Sequence, residues 1–233
     1  MHLSESKAPL VAIVDYGVGN LFSVKHACEY VGMRARITAS GEELLEASAV
    51  ILPGVGAFGD AMAMLGRLDL VSVLREIAGS GKPLIGICLG MQLLMTESHE
   101  FGRHQGLGII RGEVVMFERS VVKDLRVPHV GWNSIHPDAA GGWTGSLLEG
   151  LGDGEFMYFV HSLYVSPDDS SVALSTTRYG GIEFCSSLKT GNVSAFQFHP
   201  ERSGPCGLAV YRNLAVQIGG GMSEVTRSRE GSK

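Results

Sequence analysis

Apolar and polar positions follow two different patterns along the chain. In the first half, short apolar runs such as PLVAIVD, AVILPG and PLIGIC have the pattern of buried strands. The segments between them, including NLFSVKHACEYVG and DAMAMLGRLDLVSVLREIAGSG, have the apolar spacing of helices. Strands that alternate with helices in this order predict an α/β fold with a mostly parallel, doubly wound sheet.

The second half consists mainly of strand-like pieces. From about residue 106 these are LGIIRGEVVMF, VPHVGWNSI, FMYFVHSLYV, SVALSTTRY, IEFCSSL and SAFQFHPE, and GPCGLAVYRNLAVQI then predicts a final helix. Consecutive strands without intervening helices favour an antiparallel extension of the sheet. We expect one domain over residues 10–218, an N-terminal tail at 1–9 and a polar, disordered C-terminal tail at 219–233.

Composition and charge exclude several classes of partner. The 233 residues carry a net charge of −5, with a pI near 5.9, so the basic surface that binds nucleic acid is not expected. The N-terminus MHLSESKAPL is acidic and polar rather than basic and then apolar, so a secretory leader is not expected, and no apolar run approaches the ~20 residues of a membrane span. Four cysteines stand far apart without a C-x-x-C pair, which predicts neither a metal site nor disulfides. We therefore expect a cytoplasmic protein without a metal or cofactor.

The stretch LIGICLGMQLL places Cys88 between two glycines where a predicted strand meets a predicted helix. Gly86 and Gly90 allow a sharp turn and close approach, as in the G-x-S-x-G nucleophile elbow with sulfur in place of oxygen. A thiol at the start of a helix faces partial positive charge that favours the thiolate. Cys88 is therefore a candidate nucleophile, and a buried structural cysteine is the alternative.

A nucleophilic thiol needs a base and a group that orients the base. In SAFQFHPE an apolar strand ends at His199, and Glu201 follows at a distance that allows its carboxylate to fix the imidazole tautomer. Cys88, His199 and Glu201 together predict a catalytic triad at the C-terminal ends of strands. A structural histidine in a His-Pro turn is the alternative.

Donors for an oxyanion are expected in ILPGVGAFGD, where a loop follows a strand. The backbone N–H groups of Val55 and Gly56, with that of Leu89, are the candidate oxyanion hole. A plain glycine turn would have the same sequence.

GICLGMQ with the later FHPE resembles the class I, triad-type glutamine amidotransferases, which have a flavodoxin-like α/β fold. VDYGVGNLFSV, LPGVGAFGDAM and PHVGWN are similar to the glutaminase subunits of imidazole glycerol phosphate synthase, from about residue 11 to the final helix. The resemblance implies that Cys88 attacks the side-chain amide of L-glutamine. His199 then protonates the departing ammonia, and water cleaves the thioester.

The same resemblance implies a substrate site and a partner. Residues expected to contact glutamine are Gly56, Gln92, Glu100, Ser162 and Leu163. The implied partner is the cyclase subunit HisF, a (β/α)8 barrel that would form a heterodimer and use the ammonia to make imidazole glycerol phosphate and AICAR in histidine biosynthesis. Residues expected at that interface are Asn20, His129, Trp132, Asn133 and Arg202.

Two positions depart from the family pattern, and several alternatives stay open. Leu163 stands where an aromatic residue is common, and Arg202 stands where lysine is frequent. Glu100 could be a solvated helix end, and Trp132 a core residue. The chain could instead be the glutaminase of pyridoxal phosphate synthesis, a gamma-glutamyl hydrolase or a catalytically silent interaction subunit. PHVGWN and DYGVGN argue against the first two, and the intact triad argues against the third.

Overall fold

The structure is a computed structural model. It describes residues 9–118, 121, 125–138 and 142–219. The predicted tails therefore lie outside the described residues, apart from Pro9 and Gly219.

Six α-helices are described. Their bounds are α1 (Leu21–Tyr30), α2 (Gly41–Glu46), α3 (Phe58–Arg67), α4 (Leu70–Gly79), α5 (Leu89–Leu93) and α6 (Gly204–Gln217). The strands are β1 (Leu10–Val14), β2 (Arg34–Thr38), β3 (Ala49–Gly54), β4 (Leu84–Cys88), β5 (Met95–Ser98), β6 (His104–Gln105), β7 (Ile110–Met116), β8 (His129–Ser134), β9 (His136–Pro137), β10 (Phe156–His161), β11 (Leu163–Pro167), β12 (Ala173–Tyr179), β13 (Ile182–Thr190) and β14 (Val193–Phe196).

The main sheet joins a parallel part to a mostly antiparallel part, in which β5 and β7 pair parallel. Its strand order is β2-β1-β3-β4-β14-β13-β11-β7-β5-β6, with β12 and β9 attached beside β13. The pairs from β2 to β14 are parallel, and β14 then pairs antiparallel with β13. The predicted doubly wound sheet with an antiparallel extension is confirmed.

Helices cover both faces of the sheet, because each buried strand sends alternate side chains to opposite sides. Ala12 and Val14 of β1 pack in an apolar cluster with α2, α3, α4 and α5. Val11 and Ile13 pack in a second cluster with α1 and α6. None of the helices in the described part of the chain is long and apolar enough to span a membrane.

Three local predictions differ from the structure. The single helix expected over DAMAMLGRLDLVSVLREIAGSG is two helices, because Asp69 adopts a left-handed conformation with φ of 55°. The apolar spacing after Cys88 predicts a helix that includes Met95, but α5 ends at Leu93 because Met95 pairs with Ile110 of β7. PHVGWN and FMYFVH form a separate two-stranded sheet of β8 and β10.

The turn from β4 into α5 leaves no room for side chains at its glycines. A Cβ on Gly90 would lie 1.7 Å from the Leu52 carbonyl oxygen, and one on Gly86 would lie 2.9 Å from the Met91 nitrogen. Both contacts are with backbone, which cannot rotate away. The helix therefore starts directly against β3 and β4.

We predict that Gly90→Ala lowers the free energy of unfolding by roughly 3 kcal/mol or more, because the added methyl overlaps backbone. Gly66→Ala is the matched control. It also adds a methyl to a helical glycine, but in open space, and should raise stability by ~0.5–1 kcal/mol. Denaturant unfolding of both variants measures the difference, and equal stabilities would contradict the steric account.

Candidate active site

A cavity of about 260 Å³ opens at the C-terminal ends of the parallel strands. Its lining residues are Val55, Gly56, Cys88, Leu89, Gln92, Glu100, Pro128, Val160, His161, Ser162 and Leu163. The structure thus brings together the predicted nucleophile, the predicted oxyanion donors and all five predicted glutamine contacts.

Cys88 is the last residue of β4 and immediately precedes α5. Its backbone has φ of 54° and ψ of −108°, a conformation that costs a non-glycine residue about 1–3 kcal/mol. Its Sγ lies 3.7 Å from the Val160 carbonyl oxygen and 3.7 Å from Nε2 of Gln197. The strained turn therefore holds the thiol at the cavity wall.

His199 and Glu201 follow β14, the strand next to β4. The Nδ1 atom of His199 lies 2.8 Å from Oε1 of Glu201, and their side chains are 5% and 1% exposed. Because a carboxylate can only accept, Nδ1 donates and Nε2 is directed away from Glu201. Nε2 forms no hydrogen bond of standard geometry with the described residues, although Cys88 is close enough to perturb the ring electrostatically.

The pKa of His199 is set by opposing effects. Burial alone lowers it, but interactions with Cys88 and then Glu201 outweigh burial and raise the pKa to about 10. The ring therefore keeps its proton near neutral pH. Such an imidazolium can donate a proton to a leaving group at the cavity.

The loop after β3 lies directly beside the thiol, since Gly54 is the register partner of Cys88. Tyr16, fully buried beneath the loop, donates from its hydroxyl to the Pro53 carbonyl at 2.7 Å. Gly56 has φ of +104°, which favours glycine, and Val55 is exposed. The loop is therefore held by a hydrogen bond at Pro53 and is exposed to solvent at Val55.

Glu100 follows strand β5. It does not lie at the end of a helix, which was the alternative that the sequence left open. Its carboxylate accepts from the backbone N–H of Phe58 at 2.5 Å, at the first turn of α3. Carboxylates are favoured there because helix N-termini carry unpaired N–H groups. One side chain thus caps α3 and lines the cavity.

Gln92 is almost fully buried in α5. Its Nε2 donates to the Leu163 carbonyl and to Oε1 of Gln197, each at 3.1 Å. Both amide hydrogens are therefore used within the protein. Only the Oε1 acceptor of Gln92 remains for a ligand.

The predicted interface residues separate onto two faces of β8. Trp132 is 54% exposed and is therefore not the core residue of the alternative. His129 is 3% exposed, and Asn133 directs its amide to Arg178 and His129. Both residues lie on the side of β8 opposite Trp132, because successive strand residues alternate between faces, and their place at the interface stays a prediction.

The other two predicted interface residues are at the surface. Asn20 is exposed at the start of α1. Arg202 is exposed, and its guanidinium lies 4.7 Å from the ring centre of Tyr158. Tyr158 in turn meets Trp132 edge to face, with ring centres 6.0 Å apart.

Comparison with known proteins identifies the family of this chain. Residues 12–218 match the family model for glutamine amidotransferase class-I. The imidazole glycerol phosphate synthase subunit HisH of Aquifex aeolicus is 47% identical over 206 residues, which cover 87% of this chain and 94% of that protein. The HisH subunit of Rhodopirellula baltica is 44% identical over 207 residues, covering 89% and 97%. The chain belongs to the HisH branch of the class I glutamine amidotransferases.

Solved structures share the fold of this HisH-family chain at lower identity. PurLQS from Thermotoga maritima superposes with a TM-score of 0.71 at 20% identity, covering 91% of this chain and 99% of that one. The glutaminase domain of Trypanosoma brucei CTPS gives a TM-score of 0.58 at 16% identity, covering 90% and 94%. The resemblance inferred from the sequence motifs is confirmed at the level of family and fold.

Sequence reasoning missed three polar contributors to this HisH-family site. They are Tyr16 beneath the loop, Gln197 beside the thiol, and the pairing of His129 with His161. Gln197 had a usable signal, because it stands two residues before His199 in an extended segment and shares its side. The other two depend on contacts between distant segments.

We predict that Glu201→Gln lowers the pKa of His199, because the hydrogen bond to a charged carboxylate favours the imidazolium. NMR titration of the His199 ring measures the change. Glu97→Gln, which removes a carboxylate remote from His199, should leave the titration unchanged. A His199 pKa that is the same in wild type and Glu201→Gln would mean that Glu201 does not stabilise the charged ring.

Proposed function

We propose that this chain is the glutaminase subunit of an imidazole glycerol phosphate synthase in histidine biosynthesis. It would hydrolyse L-glutamine to glutamate and ammonia. The observation that carries the proposal is a buried Cys88, His199 and Glu201 arrangement at a cavity, in a chain 47% identical to a HisH subunit over nearly its full length.

In the proposed reaction, Sγ of Cys88 attacks the side-chain amide carbon of glutamine as a thiolate, after its proton has passed to His199. The oxyanion is stabilised by the N–H of Leu89 and by the loop at Val55 and Gly56. Protonated His199 gives its proton to the departing ammonia, which leaves a glutamyl thioester. Water then attacks the thioester while His199 accepts its proton, and glutamate is released with the thiolate and the imidazolium restored.

The far end of the cavity would recognise the amino-acid end of glutamine. Glu100 and Oε1 of Gln92 offer acceptors for the α-amino group, and the backbone at Ser162 and Leu163 would contact the carboxylate. Leucine stands at 163 where the family commonly has an aromatic residue. Its side chain is buried and the expected contact with glutamine is through the backbone, so this difference leaves the contact in place.

The ammonia would pass to a cyclase partner, HisF, a (β/α)8 barrel that forms a heterodimer with this chain. Support comes from an exposed apolar patch on β8 and β10, which consists of Val130, Trp132 and Phe156 at 56%, 54% and 57% exposure. Exposed clusters of this kind mark contact surfaces. Arg202 keeps the positive charge of the usual lysine at the edge of this patch, and Asn20 completes the expected interface.

The proposed location is the cytoplasm. All four cysteines are free thiols in the described residues, which fits a reducing compartment. The proposed steps use only side chains, backbone groups and water.

We predict that Cys88→Ala abolishes glutamine-dependent synthesis but leaves synthesis from ammonium salts intact, because ammonia is only a feedstock for the cyclase. Glutamate release and imidazole glycerol phosphate formation are measured together in the complex. Cys206→Ala is the matched control and should retain both activities, since Cys206 lies on α6 outside the cavity. Glutamine hydrolysis by Cys88→Ala would exclude the nucleophile role, and a wild-type complex without glutaminase activity would favour a silent subunit.

We further predict that Trp132→Ala weakens binding to the cyclase by ~2 kcal/mol or more, as loss of an aromatic anchor does. Calorimetric titration of the two subunits measures the affinity. Tyr30→Ala is the control, because Tyr30 is 71% exposed but ends α1 away from the cavity. Unchanged affinity with a lowered melting temperature would instead make Trp132 a packing residue.

A further inference from the structure

Two buried histidines face each other across the two-stranded sheet. His129 of β8 and His161 of β10 are register partners, and their side chains lie on the inner face of the sheet. The distance from Nδ1 of His129 to Nε2 of His161 is 3.1 Å. The proposed reaction uses neither ring.

The hydrogen bonds of this pair allow one arrangement of protons. Nδ1 of His161 lies 2.8 Å from the Leu163 carbonyl oxygen, which can only accept, so Nδ1 donates. In a neutral ring Nε2 of His161 must then accept, and Nδ1 of His129 must donate to it. The remaining nitrogen, Nε2 of His129, accepts from the Asn133 amide at 3.4 Å.

Burial keeps both rings neutral. It lowers the pKa of His129 to about 4. It also lowers the pKa of His161 to about 3, a fall that the hydrogen bond to Leu163 only partly opposes. At neutral pH neither ring is charged, so the assignment of donors and acceptors given for the neutral pair is the one that applies.

The chain of hydrogen bonds continues from Leu163 to the thiol. The Leu163 carbonyl accepts from His161 and also from Gln92, so the Gln92 amide must present nitrogen there. Gln92 then donates to Oε1 of Gln197, which turns Nε2 of Gln197 toward Cys88. Each amide orientation is thus determined by the one before it.

We propose that His161, oriented by His129, is a positioning residue for glutamine binding. Its Nδ1–H holds the Leu163 carbonyl and thereby fixes the Ser162–Leu163 turn and the outward Oε1 of Gln92. The proposal rests on the proposed function, because it assigns these groups to glutamine.

Two substitutions at His161 separate the roles of its nitrogens. In His161→Asn the amide nitrogen takes the place of Nδ1 and can still donate to Leu163. In His161→Gln the amide reaches the position of Nε2 and keeps a partner for His129, but the donor to Leu163 is lost. The two variants are equally polar, so a difference between them reports the Leu163 hydrogen bond.

Full-length Cys88→Ala protein is the parent, in which binding is measured without turnover, and each further substitution is added to it. L-Glutamine is titrated calorimetrically into the complex of each protein with the cyclase. We expect His161→Gln to weaken glutamine binding about tenfold or more, because the buried Leu163 carbonyl loses one of its two donors and the turn is no longer held from the His161 side. His161→Asn should stay within about threefold of the parent. His136→Gln, an exposed histidine outside the cavity, is the control for the substitution itself.

The outcomes distinguish this inference from the proposed function. Equal affinity in the parent, His161→Gln and His161→Asn, or equal weakening in both variants, would overturn the positioning role alone. Failure of the parent to bind glutamine would overturn the proposed function and the inference with it. If His161→Gln does not fold, the same comparison of His129→Gln with His129→Asn decides, because only the latter keeps a donor toward His161.

Discussion

The backbone turn at Cys88 is the constraint on which the site depends. It packs α5 against β3 so closely that Gly90 lies in contact with the Leu52 carbonyl, and it leaves the residue before the helix in a strained conformation. Because β3 and β14 flank β4, the residues that follow these strands are brought to the same thiol. The loop at Val55 arrives from one side and His199 from the other. The order of strands therefore assembles groups that are more than a hundred residues apart in the chain.

Hydrogen bonds between buried polar groups provide the second level of order. The oxygen and nitrogen of a side-chain amide can exchange positions, and a neutral imidazole has two tautomers. Each group could therefore present a donor where an acceptor is needed. Here a single fixed carbonyl, that of Leu163, accepts from both His161 and Gln92 and removes this freedom. Satisfied networks of this kind rigidify a site, whereas a broken one leaves buried groups unpaired. The cavity wall thus has one arrangement of donors and acceptors.

Sequence alone was sufficient where the determinants are local. The glycines around Cys88, the spacing of His199 and Glu201, and the β–α rhythm of the first half lie within short segments, and the fold and family they predict are confirmed. It failed where distant segments decide. The direction of His129 depends on pairing with β10, and the helix-capping contact of Glu100 depends on α3, which begins 42 residues earlier in the chain. The break at Asp69 reflects one left-handed residue that periodicity does not detect.

Tyr16 and Gly54 form a pair whose sizes are complementary. A Cβ at position 54 would lie 2.2 Å from the Tyr16 hydroxyl, while that hydroxyl holds the neighbouring Pro53 carbonyl. A side chain at 54 is therefore compatible with the fold only when position 16 carries a smaller residue, which would leave the carbonyl without its donor. A residue larger than glycine at 54 is expected only together with a smaller residue at 16, although Tyr16 follows β1 and Gly54 ends β3, 38 positions apart.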